Sequence, residues 1–358
     1  MIDLNDVQAI RATDAHDMLG HIADLPQQLI DGWAAAEALE LPPSFREIDR
    51  VVLAGMGGLA DGGALFAALV TSECQLPISV VRDYDLPAYA HGAHTLVIAT
   101  SYSGDTEETL AAFDQTLVRG CQSLVLTSNG QLLERAKKQV VPFIRVDYES
   151  PPRAALGWSL APLLNIASRL GWTHHFEDDL EETVRMLREW MPELTADSPL
   201  MQNLAKREAG QLMGRLIYVL GAGLFAQVAR RWRAQLATNA KTWAAYEALP
   251  EANHHALAGL EWPDGFSSKV MALFLTGRAD HPRNARRAQL TQQAYLMAGC
   301  NTDLLVARGE SPLAQMMSLV MLGDFMSAYL AVLNGVDPAQ TSAVIEFKAA
   351  LMDRQPSS

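Results

Sequence analysis

Short apolar segments alternate with helical segments along most of the chain, and this alternation restricts the fold more than any other feature. "VVL" at 51–53, "TLVIA" at 95–99 and "SLVL" at 123–126 read as buried strands, each followed by a helical pattern. Strand and helix alternate again from "RLIYVLGAG" to the end. Strands alternating with crossover helices are typical of parallel sheets. The sequence therefore predicts an α/β protein with doubly wound parallel sheets flanked by helices.

The length of 358 residues fits two such units. We place the boundary near residue 172, which gives an N-terminal domain over 1–172 and a second domain over 173–358. The first 45 residues are predicted to be helical, with an interruption near Pro26. The first fourteen residues and the last five are expected to be frayed.

Net charge, cysteine content and apolar runs exclude several classes of binding partner. A net charge of −13 disfavours nucleic acid and anionic membranes, because the basic runs at 230–233 and 283–287 are short. Cys74, Cys121 and Cys300 show neither a disulfide framework nor a metal-ligand spacing. The N-terminus lacks the features of a signal peptide, and the apolar runs look too interrupted to span a bilayer. We expect a cytoplasmic protein without metal, cofactor, nucleic acid or membrane.

A glycine-rich turn, "GMGGLADGG", follows the first strand and precedes a helix. Gly57 and Gly58 permit close backbone approach, and such turns can present N–H groups to an anion at a helix N-terminus. The spacing differs from the dinucleotide fingerprint G-x-G-x-x-G. Tight strand-to-helix packing is the structural alternative for this turn.

A hydroxyl-rich loop, "TSYSGDTEET", follows a second strand. Ser101, Ser103 and Thr106 stand at the carboxyl end of that strand, just before a helix, where hydroxyls and free amides suit a dianionic phosphate. Helix capping by Ser103 or Thr106 is the alternative, and both roles are compatible. Asp105 and the two glutamates after Thr106 must then point away from a bound phosphate.

The ordered motifs GMGG…GG, SYSG-x-TEET, PRAAL, PEANHH and GVDP resemble those of the bifunctional phosphoglucose/phosphomannose isomerase family. These proteins consist of two SIS (sugar isomerase) domains, and the resemblance covers roughly residues 15–352. It implies two SIS domains, a phosphorylated sugar as ligand, no cofactor, and a homodimer that shares its sites.

The resemblance also implies roles for individual residues. The phosphate loop matches Ser101, Ser103 and Thr106 beside the turn with Gly57 and Gly58. Arg153 is the cation that stabilises an enediolate as negative charge develops. The remaining matches are His254, which opens the sugar ring from the partner subunit, and Thr341 and Lys348, which contact the sugar.

One position departs from the family pattern in a way that concerns catalysis. "QLATNAK" matches the family's Q-L-N-E-N-x-K, so Thr238 stands where the family has its base glutamate. A threonine hydroxyl is far too weak an acid to act as a carboxylate base near neutral pH. Leu59 and Ala64 likewise replace a serine and an aspartate of the family's glycine turn.

Two functions follow, and the sequence leaves both open. The first is a phosphosugar-binding protein without classical aldose–ketose isomerase activity. The second is an active phosphoglucose/phosphomannose isomerase, or a related one, in which Glu247, Glu251 or His255 has replaced the base. A SIS transcription regulator is disfavoured, because the helical N-terminal segment is short and not basic.

Overall fold

The computed structural model of this protein describes residues 2–353. Its strands form two parallel sheets, one of five strands in the order β2-β1-β3-β4-β5 and one of four in the order β7-β6-β8-β9. The strands are β1 (Arg50–Gly55), β2 (Ile78–Val81), β3 (Thr95–Ser101), β4 (Gln122–Thr127), β5 (Phe143–Arg145), β6 (Leu216–Ala222), β7 (Ala244–Leu249), β8 (Val270–Thr276) and β9 (Asn301–Val306). The predicted α/β class with doubly wound parallel sheets is confirmed.

Helices cover both sheets. They are α1 (Val7–Thr13), α2 (Met18–Ala23), α3 (Leu25–Glu37), α4 (Leu59–Val70), α5 (Glu107–Val118), α6 (Gly130–Lys138), α7 (Leu156–Leu170), α8 (Glu177–Leu194), α9 (Leu204–Leu212), α10 (Leu224–Thr238), α11 (Pro282–Met297), α12 (Pro312–Leu333) and α13 (Ser342–Asp353). Short 3-10 turns occur between some of these elements, including Pro152–Ala154 and Glu251–His254.

Residues 2–14 fold onto the rest of the chain, so for them the expectation that the first fourteen residues are frayed is wrong. Asp6 caps α1 by accepting a hydrogen bond from the Ala9 amide, and Leu4 and Ile10 are buried. Pro26 lies in the first turn of α3, where a missing amide proton costs nothing. The last five residues lie outside the described residues.

Helix α12 corrects the prediction that the apolar runs are too short and interrupted to span a bilayer. By length and composition its 22 residues could cross one, but its apolar window is entirely buried inside the protein. It packs against α8, α9 and α10 as a core helix. Ser311 caps its start by accepting a hydrogen bond from the Ala314 amide.

The two sheets share one hydrophobic core. The main cluster of buried residues contains Leu53 and Ile98 of the first sheet and Val219 and Leu273 of the second. The proposed domain boundary falls in the short turn between α7 and α8, next to Gly171, which ends α7 in the left-handed conformation. That boundary stays a prediction.

Strand β7 was not predicted from the sequence. Its sequence, AAYEAL, is poor in β-branched residues, and only Ala244 and Leu249 are buried. Propensity therefore gave no strand signal, and β7 forms because it pairs with β6 at the edge of the second sheet.

Candidate functional site

A cavity of about 450 Å³ lies at the carboxyl end of the first sheet. It sits beside the loops after β1 and β3, where the strand order reverses and α/β proteins commonly bind ligands. The 3-10 turn Pro152–Ala154, one face of α10 and the start of α13 complete its wall. The predicted site residues that line it are Gly57, Gly58, Ser103, Thr106, Arg153, Thr238, Thr341 and Lys348.

The hydroxyl loop leaves the start of α5 without a side-chain cap. Thr106 occupies the N-cap position of α5 but makes no side-chain capping hydrogen bond, so the capping alternative is not realised there. The buried hydroxyl of Ser101 donates to Oγ1 of Thr106 at 2.9 Å and accepts from the Gly104 amide at 3.1 Å. Ser101 therefore supports the loop from below, while Ser103 and Thr106 line the cavity.

The acidic residues of this loop differ in whether they face the cavity. Asp105 turns away and accepts a hydrogen bond from the Gln131 amide at 3.0 Å, and Glu107 accepts one from Tyr84. Glu108 instead lines the cavity, so the expectation that both glutamates point away is wrong for this residue. Helical side chains tilt towards the helix N-terminus, which here faces the cavity.

Two glycines are sterically required. Gly104 has φ +74°, and a Cβ there would come within 1.8 Å of the Asn129 carbonyl oxygen. A Cβ on Gly58 would lie 2.2 Å from Cα of Arg153. Tight packing, the structural alternative for the glycine turn, is thus correct for Gly58, and this packing also holds the Arg153 segment against the cavity.

Arg153 is fixed by bonds to the second half of the chain. Its Nε donates to Oδ1 of Asn239 at 2.6 Å, and Nη2 donates to the carbonyls of Pro338 and Ala339 at 2.6 and 2.9 Å. Burial, and then the nearby charge of Arg231, lowers the pKa of Arg153 to about 10. The guanidinium stays cationic at neutral pH.

A buried stripe of α10 supports this arrangement. Arg231, Gln235 and Asn239 are spaced four residues apart and so share one face. Asp324 of α12 accepts hydrogen bonds from Nη2 of Arg231 at 2.6 Å and from Nε2 of Gln235 at 3.0 Å. Nη2 of Arg231 also donates to the Arg153 carbonyl at 3.0 Å. This stripe positions Arg153, and only Gln235 of the three also lines the cavity.

Thr238 is half-buried at the cavity wall. Its hydroxyl donates to the Ala234 carbonyl one turn earlier, at 2.8 Å. Lys241, which follows on the chain, donates to the carbonyls of Thr238 and Asn239 and so closes the end of α10. No carboxylate is present at position 238.

Sequence reasoning missed several charged residues of the cavity. Arg82, just after β2, donates to Oδ1 of Asp61 at 2.9 Å, and Oδ2 of Asp61 lies 3.6 Å from Nη1 of Arg231. Asp61 lies inside the glycine-rich turn but had no predicted role, and Arg82 belongs to no motif, so only the folded chain brings the two together. The missed residues are Asp61, Arg82, Glu108 and Arg230.

The proposed ring-opening and replacement residues do not line this cavity within one copy of the chain. His254, His255 and Glu251 are exposed at the end of β7. Glu247, on β7, accepts a hydrogen bond from the Tyr218 hydroxyl at 3.0 Å. A role for His254 in the site of a second copy stays a prediction. Among the described residues, no group of three or more His, Cys, Asp or Glu is placed to hold a metal ion.

The sequence is similar to a known family of sugar-phosphate isomerases. Residues 201–351 match the bacterial phospho-glucose isomerase C-terminal SIS domain. The chain is 35% identical to the bifunctional phosphoglucose/phosphomannose isomerase of Caldicellulosiruptor bescii, over 94% of this chain and 99% of that one. This chain belongs to the bifunctional phosphoglucose/phosphomannose isomerase family.

A second member of the family, from Aquifex aeolicus, is 33% identical over 84% of this chain and 90% of its own. Among solved structures, a hypothetical protein from Thermus thermophilus superposes with a TM-score of 0.75 at 18% identity. The superposition covers 97% of this chain and 94% of that chain. At such low identity it supports the fold alone, and the fold agrees with the two sheets described above.

Proposed function

We propose that this member of the isomerase family binds a phosphorylated sugar in the cavity and lacks classical aldose–ketose isomerase activity. The observation that carries the proposal is that an uncapped helix end, the hydroxyl side chains of Ser103 and Thr106, and Arg153 all line the same cavity. Uncapped amides at a helix N-terminus suit a phosphate, and an arginine suits developing negative charge. The names of the relatives point to glucose 6-phosphate and mannose 6-phosphate as ligands.

The proposed lack of isomerase activity follows from the residue at position 238, which is a threonine. The Thr238 hydroxyl already donates to a backbone carbonyl and offers no carboxylate to move a proton between C1 and C2. Absence of a positioned general base typically costs about 10²–10⁴-fold in rate. A site of this kind retains the ligand but turns it over slowly, as suits a sensor or a sequestering protein.

A second candidate is an active isomerase with a relocated base, and Glu108 favours it. Glu108 lines the cavity and, within residues 2–353, has no ion-pair partner, whereas Asp61 is held by Arg82. Glu247, Glu251 and His255 are candidates only through a second copy of the chain. They lie near His254, so a homodimer that delivers His254 to a neighbouring site also brings these residues close to it. The homodimer and the cytoplasmic location are part of this proposal.

The test combines binding and turnover on one sample. Glucose, mannose and fructose 6-phosphates are titrated by calorimetry, and deuterium exchange at C2 is followed by NMR. We expect binding without exchange in the natural protein. Thr238→Glu should introduce exchange, and Thr238→Gln, which has the same length without the charge, should not.

Other outcomes separate the candidates. Exchange in the natural protein that disappears in Glu108→Gln would establish the active isomerase. Exchange that survives Glu108→Gln but disappears in Glu247→Gln, Glu251→Gln or His255→Asn would place the base on a second copy. The absence of binding for all three sugar phosphates would overturn the phosphosugar site itself.

A further inference from the structure

The cavity wall carries more positive charge than one phosphate group neutralises. Its cationic residues are Arg82, Arg153, Arg230, Arg233 and Lys348, and its carboxylates are Asp61 and Glu108. The surplus is three positive charges, in a chain whose net charge is −13. A phosphate monoester carries about −1.5 to −2 at pH 7. A ligand with only a phosphate therefore leaves at least one cation without a counter-charge.

The structure indicates which cations remain available. Arg82 is paired with Asp61, and Arg153 is held by Asn239 and two backbone carbonyls. Arg230 and Arg233 are half-buried, and neither makes a side-chain hydrogen bond or an ion pair with another residue of the described range 2–353. Two half-buried guanidiniums one helical turn apart, without partners in that range, are therefore available to an anionic group of a ligand in the cavity.

The helix geometry places these two arginines next to Thr238. Arg230, Ala234 and Thr238 are spaced four residues apart on α10, and all three line the cavity. Arg233 is three residues from Arg230 and lies on the same side of the helix. At 1.5 Å per residue, Arg230 and Thr238 are about 12 Å apart along the axis, so Arg233 stands about midway.

Space for a larger ligand is present beside Arg230. A second cavity of about 1000 Å³ adjoins the first, and both are lined by Arg82 and Arg230. It lies at the carboxyl end of the second sheet, next to Gly223 and Asp280. A group that extends from the sugar towards Arg230 therefore meets open volume and not packed protein.

We propose that the ligand of this site is a phosphorylated sugar acid, with its phosphate on the loop of Ser103 and Thr106 and its carboxylate bound by Arg230 and Arg233. The proposal rests on the phosphosugar site proposed above and narrows its ligand. One carboxylate compensates the charge that a dianionic phosphate leaves over. Guanidinium groups match the planar geometry of a carboxylate and bind it through paired hydrogen bonds.

The experiment compares ligands that differ by one charged group. The natural protein is titrated calorimetrically with 6-phosphogluconate, glucose 6-phosphate and gluconate at one fixed salt concentration. Hydrogen bonds to charged groups contribute enough to predict that 6-phosphogluconate binds about 10–100-fold more tightly than glucose 6-phosphate. Gluconate, without the phosphate, should bind much more weakly than either.

Variants assign the preference to the two arginines. Arg230→Gln with Arg233→Gln should remove most of the preference for 6-phosphogluconate and weaken glucose 6-phosphate much less. Arg286→Gln, an exposed arginine of α11 outside both cavities, is the matched control and should leave the preference intact. Thr238→Glu, which adds a carboxylate beside the arginines, should also reduce the preference.

The outcomes distinguish this inference from the proposed function. Equal affinity for the two phosphates would overturn the inference and leave the phosphosugar site standing. A preference for 6-phosphogluconate that survives the double arginine variant would also overturn it, since Arg153 would then be the carboxylate's partner. Failure of both phosphates to bind would overturn the proposed function as well. Circular dichroism of the variants confirms that each one is folded.

Discussion

The loops that follow β3 and β8 occupy equivalent places in the two sheets. The first leaves a helix end uncapped, whereas the second holds a carboxylate of its own. Each follows the strand beside the first strand of its sheet. In the first, the hydroxyls of Ser101 and Thr106 bond to each other, and Thr106 leaves the helix end uncapped. In the second, Oδ2 of Asp280 accepts from the Thr276 hydroxyl at 2.7 Å and from the Gly277 amide at 3.1 Å.

The loop after β8 is therefore occupied by the carboxylate of Asp280. The Asp280 carboxylate takes the two donors that a bound phosphate would need, and its charge repels a further anion. The second half of the molecule contributes differently, because α10 presents cations to the cavity of the first half and positions Arg153. One architecture thus yields a loop with an uncapped helix end in the first half and a loop filled by its own carboxylate in the second, and Asp280 accounts for much of this difference.

The largest expected effect is on stability and concerns the buried ion pair between Arg231 of α10 and Asp324 of α12. Asp324→Leu leaves the buried Arg231 without its main counter-charge, which should lower the free energy of unfolding by about 3–5 kcal/mol in urea titrations. Glu310→Gln removes the exposed ion pair with Arg278 and should cost less than about 1 kcal/mol. If the two variants were equally stable, α10 and α12 would not hold the site together through this pair.

The next effect tests the binding loop against its counterpart. Ser103→Ala with Thr106→Val removes two hydroxyls from the proposed phosphate position and should weaken sugar-phosphate binding by about 2–4 kcal/mol, measured by calorimetry. Thr276→Val, the matched change in the second loop, should leave that affinity unaltered. Similar losses in both variants would contradict the asymmetry of the two loops.

A smaller effect comes from another internal carboxylate of the second half. Burial, and then the neighbouring Asp303, raises the pKa of Glu208 to about 7. The folded state therefore binds this proton more tightly, and stability from this group is present below pH 4.5 and lost as pH rises through 7. Glu208→Gln should raise the free energy of unfolding by about 1–3 kcal/mol at pH 8 and have little effect at pH 4. A gain that does not depend on pH would show that Glu208 does not titrate in this way.

The smallest effect concerns Asp280 itself. Burial raises the pKa of its carboxyl group, so its contribution to stability is present below pH 3.8 and falls as pH rises through the folded pKa. Asp280→Asn keeps an acceptor oxygen without the charge and should change stability at pH 7 by no more than about 1 kcal/mol, towards higher stability. Asp280→Ala, which removes the acceptor, should instead destabilise the protein. Thermal unfolding at pH 4 and pH 7 measures both, and the Asn variant's gain should shrink at the lower pH.

The sequence predicted the parts of the site that depend on local order along the chain. Ser103, Thr106 and Arg153 line one cavity as their motifs indicated, and Thr238 lies on its wall. Prediction failed where a residue's position depends on distant partners. Glu108 was expected to point away. Asp61 had no predicted role within the glycine turn, and it meets Arg82 only because β2 pairs with β1. Strand β7 was missed for the same reason, since its pairing with β6 and not its composition makes it a strand.

By itself the sequence determined the α/β alternation, the hydroxyl loop before α5 and the absence of a carboxylate at position 238. These features follow from residue identity and short-range spacing, which the chain carries before it folds. Only the tertiary structure decided that Arg230 and Arg233 line the cavity at the end of the first sheet without partners among residues 2–353, that Asp280 fills the second loop, and that His254 lies outside the cavity of its own chain. Charge and burial depend on neighbours from distant segments, and packing alone brings those neighbours together.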